Sequence, residues 1–300
     1  MKNFVDVCRM SQNEVKAYMA VYLASRGYKV VSNDGYLYAE GDVPVLLVAH
    51  MDTVHRTTPN TIKEVDGKIS SPQGIGGDDR CGIFIIMNIV KNLHCSVLLC
   101  EDEEIGGVGA RKFAKSPFIK ELNVNYMIEF DRANATDAVF YSCANEEFID
   151  FVTDVTGYRE AHGSFSDISI IAPSAKIAAV NLSCGYYKAH TTDEYVVYDE
   201  MMRTIEVAKV LIEAECEAFE YVTRKAPTFW DYGYQMSYGN ISQYTSPTKS
   251  LDIELEVVFT DGFTEKIGYG SGKTKAEAWL DFFENYDDVC FSQITDYSFC

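Results

Sequence analysis

Three apolar runs and one glycine-rich loop in the first half of this chain each end in side chains that bind metals or move protons. Val43-Pro-Val-Leu-Leu-Val-Ala49 leads into His50-Met-Asp52, Ser96-Val-Leu-Leu-Cys100 into Glu101-Asp-Glu-Glu104, and residues 124–130 into Asp131. Gly74-Ile-Gly-Gly77 leads into Asp78-Asp79, just before the apolar stretch 83–90. The steps from His50 to Asp78, Glu104 and Asp131 are 28, 26 and 27 residues. Continuously apolar strands are those covered on both faces of a parallel sheet, and repeated βα units return each strand to the same edge. The chain is therefore predicted to be an α/β protein with a doubly wound, mixed but mainly parallel sheet. Helices cover both faces, and each unit delivers one polar group to the carboxyl edge.

The remaining elements follow from local signals. Ser11-Gln-Asn-Glu14 is a capping box that opens an amphipathic helix ending near Gly27. Residues 29–31 and 36–40 read as strands around the Asn33-Asp-Gly35 turn. A polar loop over 56–71 contains a hairpin at Asp66-Gly67, and Gly106, Gly107 and Gly109 lead into a helix reaching Lys115. Strands are predicted over 137–141 and 175–182, helices over 145–155 and 200–221, with His190 on a loop after the strand at 175–182.

Residues 1–221 form the expected catalytic domain, and 222–250, rich in Tyr, Gly, Ser and Pro, a linker or irregular segment. Residues 251–300 read as a small α+β (β-β-α) module. Leu251, Ile253, Leu255, Val257 and Phe259 alternate, Asp261-Gly262 turns, residues 263–269 return, and Thr274-Lys-Ala-Glu277 caps a helix that buries a subset of Ala278, Trp279, Phe282 and Phe283. That module shows no chemistry, and docking or homo-oligomerisation is the role it suggests.

A formal charge of -19 excludes a surface built for nucleic acid or anionic membrane, both of which need clustered Lys and Arg. Nine cysteines, an odd number without a CxxC pair, read as reduced thiols of a cytoplasmic protein. The first ten residues lack the apolar core of a signal peptide, and no run of 18 apolar residues occurs.

Adjacent carboxylates at the end of a buried strand repel each other unless something positive lies beside them, and a divalent metal is the natural candidate. Asp52 falls on the same side of an extended strand as His50 and is placed to fix its tautomer. A cap explains one aspartate at 78–79 but not two.

Six motifs in order then carry a resemblance: His50-Met-Asp-Thr-Val, Gly77-Asp-Asp-Arg, Asp102-Glu-Glu-Ile-Gly, Phe130-Asp-Arg, Gly163-Ser-Phe-Ser-Asp and His190-Thr-Thr-Asp-Glu-Tyr. Together, over residues 40–220, they resemble the co-catalytic dizinc exopeptidases, which include bacterial leucyl aminopeptidases, peptidase T and carboxypeptidase relatives, and acyl-amino-acid deacylases. The resemblance implies that Asp78 bridges two metal ions, that His50 and Asp131 complete one site, and that Glu104 and His190 complete the other. It implies Asp52 behind His50, a cis peptide at Asp79, and Glu103 as the general base that carries the water proton to the leaving nitrogen. Two histidines and three carboxylates suit two Zn²⁺ ions, with Co²⁺ or Mn²⁺ as substitutes. A hydroxide bridging ions about 3.5–4 Å apart would be the nucleophile.

Only 59 residues separate Asp131 from His190, too few for the lid domain of the carboxypeptidase and deacylase branch. The expected activity is therefore that of an aminopeptidase acting on peptides, whose cationic N-terminus suits an acidic cleft. An N-acyl amino acid deacylase or carboxypeptidase-like enzyme is the alternative, and a metal-binding interaction protein is the reading from another class. Arg80 and Arg132 adjoin the motifs, Tyr186 and Tyr187 are candidate oxyanion donors, and His55, His94 and His162 read as structural or surface residues.

Overall fold

A computed structural model describes residues 2–222, 253–259, 264–269 and 294–299. The chain divides into two compact units, Met1–Ala226 and Pro227–Cys300.

The first unit opens with α1 (Lys2–Cys8) and α2 (Gln12–Ala24), the latter with the Ser11–Glu14 capping box formed in both directions. A hairpin of β1 (Val30–Asn33) and β2 (Tyr36–Ala39) precedes β3 (Val43–His50). A second hairpin, β4 (Lys63–Val65) and β5 (Lys68–Ser70), turns at Asp66-Gly67 and leads to α3 (Gly77–Ile89). Then come β6 (Cys95–Cys100), α4 (Val108–Ala114), α5 (Phe118–Glu121), β7 (Tyr126–Arg132), β8 (Asp137–Val139) and α6 (Glu146–Thr156). The unit closes with β9 (Arg159–Ala161), α7 (Asp167–Ala175), β10 (Ala179–Ser183), β11 (Tyr186–Tyr187), β12 (Tyr195–Val197) and α8 (Tyr198–Glu213).

Eight strands form one sheet in the order β1-β2-β6-β3-β7-β10-β8-β9. The central strands β6, β3, β7 and β10 are mutually parallel, whereas β2 joins β6 and β8 joins β10 antiparallel. This is the expected mixed, mainly parallel sheet. Strand β3 shows why its sequence has no polar face: Val45, Leu47 and Ala49 enter the core beneath α1, α2, α3, α6 and α8, while Leu46 and Val48 enter the core beneath α4, α5 and α7. A smaller sheet, β11-β12-β5-β4, carries the loop with His190.

Three boundaries differ from the sequence expectation. The helix predicted over 200–221 is α8, which stops at Glu213; beyond it Phe219 accepts a hydrogen bond from Ala178 N, and Ile177 bridges Glu220. The strand predicted over 175–182 begins only at Ala179, because α7 runs to Ala175 and Lys176 closes it with a φ of 60°. The strand predicted over 137–141 ends at Val139, and Tyr141 and Ser142 take positive φ.

In the second unit, β13 (Ile253–Phe259) pairs antiparallel with β14 (Thr264–Tyr269), as the alternation predicts, and on its other side with β15 (Ile294–Phe299), a third strand that the sequence reading lacked. The expected linker at 223–250, the turn at Asp261-Gly262 and the helix opening at Thr274 lie outside the described residues. Among the described residues no helix is long and apolar enough to cross a membrane, and all seven cysteines are free, six of them buried.

Phe148 of α6 anchors part of the core shared with α1, α2, α3 and α8. It is wholly buried, with its ring 5.5 Å from Tyr126, 5.9 Å from Phe140 and 5.0 Å from Phe219. Phe148→Ala should lower stability by about 3–5 kcal/mol, as expected for an emptied aromatic core position; urea unfolding at constant metal content would measure it.

Candidate metal centre

The parallel strands β3, β6 and β7 end at one edge, and five chain segments converge there. His50 is the last residue of β3 and lies in register with Cys100, the last of β6, so the turn at 101–104 begins level with it. Asp131 is near the end of β7, Asp78 and Asp79 occupy the first turn of α3, and His190 projects from the β11–β12 loop with a φ of 62°.

The start of α3 is not helical: Asp78 has φ -84°, ψ 102° and Asp79 φ -118°, ψ 46°, and the peptide between them is cis. Buried side chains hold this irregular backbone. Glu194, fully buried, accepts from Gly76 N at 2.8 Å and Asp78 N at 3.0 Å and meets His55 Nε2 at 3.0 Å. Asp79 accepts from His50 N at 3.1 Å and Gly82 N at 2.9 Å, tying the helix to β3. Gly82 is needed there, since a Cβ would lie 2.2 Å from the Phe130 carbonyl oxygen.

With its backbone held, Asp78 divides its carboxylate between the two histidines. Its Oδ1 is 2.9 Å from His50 Nε2 and its Oδ2 is 3.1 Å from His190 Nε2. Each histidine meets a further carboxylate: Asp131 Oδ1 lies 3.6 Å from His50 Nε2, and Glu104 Oε2 lies 3.2 Å from His190 Nε2. On the opposite side of the His50 ring, Nδ1 is 3.1 Å from Asp52 Oδ1. The contact of Nδ1 with Asp52 orients the ring so that Nε2 is directed inward at Asp78. The two Asp52 oxygens also accept from Glu103 N at 3.0 Å and Glu104 N at 3.1 Å. All seven residues expected at the site thus lie around one centre, the Glu103 carboxylate included: one of its oxygens lies within 4.8 Å of a ring nitrogen of His50 and of a carboxylate oxygen of Glu104.

The electrostatics are those of too many carboxylates in too little water. Burial pushes Asp131 up to about 7, with Asp78 adding to the rise. Burial and the charges of Asp131, Asp167 and Glu104 raise Glu103 well above the ordinary range despite His50. Asp78 is the exception: burial works against its ionisation, yet the hydrogen bonds from His190 and His50 hold it well below the ordinary carboxylate value. Asp78 raises His190 most, followed by Glu104, to about 11.

A divalent cation fits this arrangement on two observations. Glu104 Oε1 is buried without a hydrogen-bond partner, and three sets of ligand-type atoms lie within 4.8 Å of one another: His50, Asp79 and Asp131; His50, Glu103 and Glu104; Asp78, Glu104 and His190. Imidazole nitrogen with carboxylate oxygen is a donor set that suits zinc in an open site.

Other expectations change. The Tyr186 hydroxyl donates to Asp131 Oδ1 at 3.2 Å and that of Tyr187 to Glu200 Oε2 at 2.6 Å, so both candidate oxyanion donors are committed. Arg80 is buried and donates to the carbonyls of Met10, Met51 and Asp52, and Arg132 pairs with Asp137. Three acidic residues of the surroundings, two of them inside the quoted motifs, are given no individual role by the sequence. Glu194 lies inside the His190 motif, but nothing in its spacing distinguishes it from a surface acid. Glu129 was signalled only by being the one charge in an apolar strand; it is fully buried and accepts from Ser166 Oγ, Asp167 N and Ile168 N at the start of α7. Asp167, beside it, has both oxygens buried without a partner, and burial pushes it up to about 7.

No protein-family model matches the sequence, and no curated protein does. Solved structures do match. The aminopeptidase PepT of Bacillus cereus ATCC 10987 is similar at a TM-score of 0.59 and 16% identity, over 71% of this chain and 96% of that one. An aminopeptidase from the archaeon Desulfurococcus kamchatkensis gives 0.57 and 14%, over 72% and 96%. A tripeptidase from Staphylococcus aureus subsp. aureus Mu50 gives 0.54 and 14%, over 70% and 97%. The chain has the α/β fold of these peptidases.

Removing the Glu194 carboxylate would leave two buried amides and His55 without their acceptor. Glu194→Ala should therefore destabilise the chelator-treated protein by about 3 kcal/mol, the scale of a lost charged acceptor, measured by urea unfolding.

Proposed function

We propose that the chain is a metal-dependent hydrolase of amide bonds and, within that class, a dizinc aminopeptidase releasing N-terminal residues from peptides. The observation that carries the proposal is the division of Asp78 between His50 and His190, each with its own additional carboxylate. His50, Asp131 and Asp78 Oδ1 would hold one zinc ion, and His190, Glu104 and Asp78 Oδ2 the other, with Co²⁺ or Mn²⁺ as replacements. Bound there, the ions supply Lewis acidity, polarising a carbonyl and lowering the pKa of water.

The protein's own residues do the rest. Glu103, adjacent to a ligand without being one, accepts a proton from water at its carboxylate and delivers it to the leaving nitrogen. Asp52 holds the His50 tautomer and, through the amides of Glu103 and Glu104, the position of both side chains. The preference for a substrate amine over a substrate carboxylate rests on charge. The surroundings are carboxylates, and the two adjacent arginines already serve main-chain carbonyls and Asp137. The shared fold with aminopeptidases and a tripeptidase supports the same choice.

Elemental analysis should find two zinc per chain, and aminoacyl anilides should be cleaved in a chelator-sensitive way while N-acyl amino acids are not. Glu103→Gln should retain both metals and lose about 10²–10⁴ in kcat, the usual contribution of a positioned proton carrier. Cleavage of N-acyl substrates alone would favour the deacylase, and a metal-free protein under replete zinc would refute both.

A further inference from the structure

The turn that presents Glu103 is held from outside itself. Four consecutive amides donate to acceptors remote in sequence: Glu101 N to Gly35 O at 2.8 Å, Asp102 N to Gln12 Oε1 at 3.1 Å, Glu103 N to Asp52 Oδ1 at 3.0 Å and Glu104 N to Asp52 Oδ2 at 3.1 Å. Within this series Asp102 has a φ of 59°, in the left-handed region that L side chains rarely adopt. Gln12 engages that residue at two points, since its Nε2 also donates to Asp102 Oδ1 at 3.0 Å. A side-chain amide is the group that can donate to the carboxylate and accept from the backbone N–H at once.

The residue is itself well anchored. Gln12 is the first residue of α2, directly after the Ser11 cap. One turn further on, Lys16 pairs with Glu101 at 2.9 Å, and just before the cap the Met10 carbonyl accepts from Arg80, which also binds the end of β3. The start of α2 is thus bonded directly to the turn that carries Glu103, and the Met10 carbonyl just before it is linked through Arg80 of α3 to Met51, the residue after His50.

We propose that Gln12 is a positioning residue for Glu103: its paired hydrogen bonds keep Asp102 left-handed and so set the direction from which the Glu103 carboxylate enters the site. The inference rests on the proposed role of Glu103 as the proton carrier. If Asp102 relaxes to the right-handed region, the next peptide plane rotates, the Glu103 amide leaves Asp52, and its carboxylate shifts; misplacements of about 1 Å can cost on the order of 10²-fold in rate.

The test uses zinc-loaded, full-length protein. Gln12→Met keeps the length of the side chain at a half-buried position and removes both hydrogen bonds. It should lower kcat about tenfold while KM and zinc content stay within about twofold, and amides 102–104 should exchange hydrogen faster while those of β6 do not. Glycine adopts the left-handed conformation freely, so in an Asp102→Gly background the same substitution should cost only about twofold. An unchanged kcat in Gln12→Met, with Glu103→Gln inactive, would overturn the positioning role alone, as would an equal loss in both backgrounds. A Glu103→Gln protein as active as the wild type would overturn the assignment of the base, and the role of Gln12 with it.

Discussion

Mutual repulsion among buried carboxylates is the constraint on which this structure depends. Unit charges about 4 Å apart interact by roughly 4 kcal/mol in an effective dielectric of about 20, and Asp78, Asp131, Glu103 and Glu104 crowd one edge of a sheet with only two imidazoles among them. Such a cluster stays together only if the backbone segments that carry it cannot move apart. The parallel sheet meets that need for His50 and Asp131, whose strands are neighbours buried on both faces. The loops meet it through side chains. Glu194 fixes the approach to Asp78, Asp79 binds the helix to β3, and Asp52 gathers the amides of Glu103 and Glu104.

The same constraint explains why the acids differ in environment although they are close in space. Asp78 lies between two imidazoles and ionises easily, whereas Glu103 and Asp131 are buried beside further negative charge and ionise reluctantly. Carboxylates driven apart in pKa can take different roles, one as a permanent anion and another as a proton carrier. The separation arises from placement on different segments rather than from different chemistry.

Much of this was legible in the sequence because the signals were local or periodic. The apolar run before His50 marks a strand covered on both faces, the Ser11 and Glu14 pair marks a helix start, and Asp66-Gly67 marks a hairpin; each depends on a few neighbouring residues. The convergence of His50, Asp78, Glu104 and Asp131 follows from the interval between units. What was not legible depends on contacts distant in the chain. Apolar spacing continues past Glu213, but there the chain gives up the helix so that Phe219 can join the Tyr126 and Phe148 rings and its carbonyl can accept from Ala178. Glu129 looks like an interruption of an apolar strand until the start of α7 is seen to lie against it. The Tyr186 hydroxyl is directed to Asp131 by the register of a two-residue strand, which no pattern of period two can predict.

The acidic run at 101–104 shows how composition conceals such distinctions. Four adjacent acids would ordinarily be a solvated surface block, and three of them have partners that separate them. Glu101 turns back to Lys16 and Gly35 N, Asp102 to Gln12, and Glu104 inward to His190. Glu103 and Glu104 thereby face the centre, while Glu101 and Asp102 are held away from it in fixed contacts. Because those contacts reach helix α2, the β1–β2 turn and the His190 loop, the orientation of one carboxylate depends on segments spread over nearly two hundred residues. A site assembled in this way requires a rigid sheet beneath it, and a single large parallel core is the simplest means of providing one.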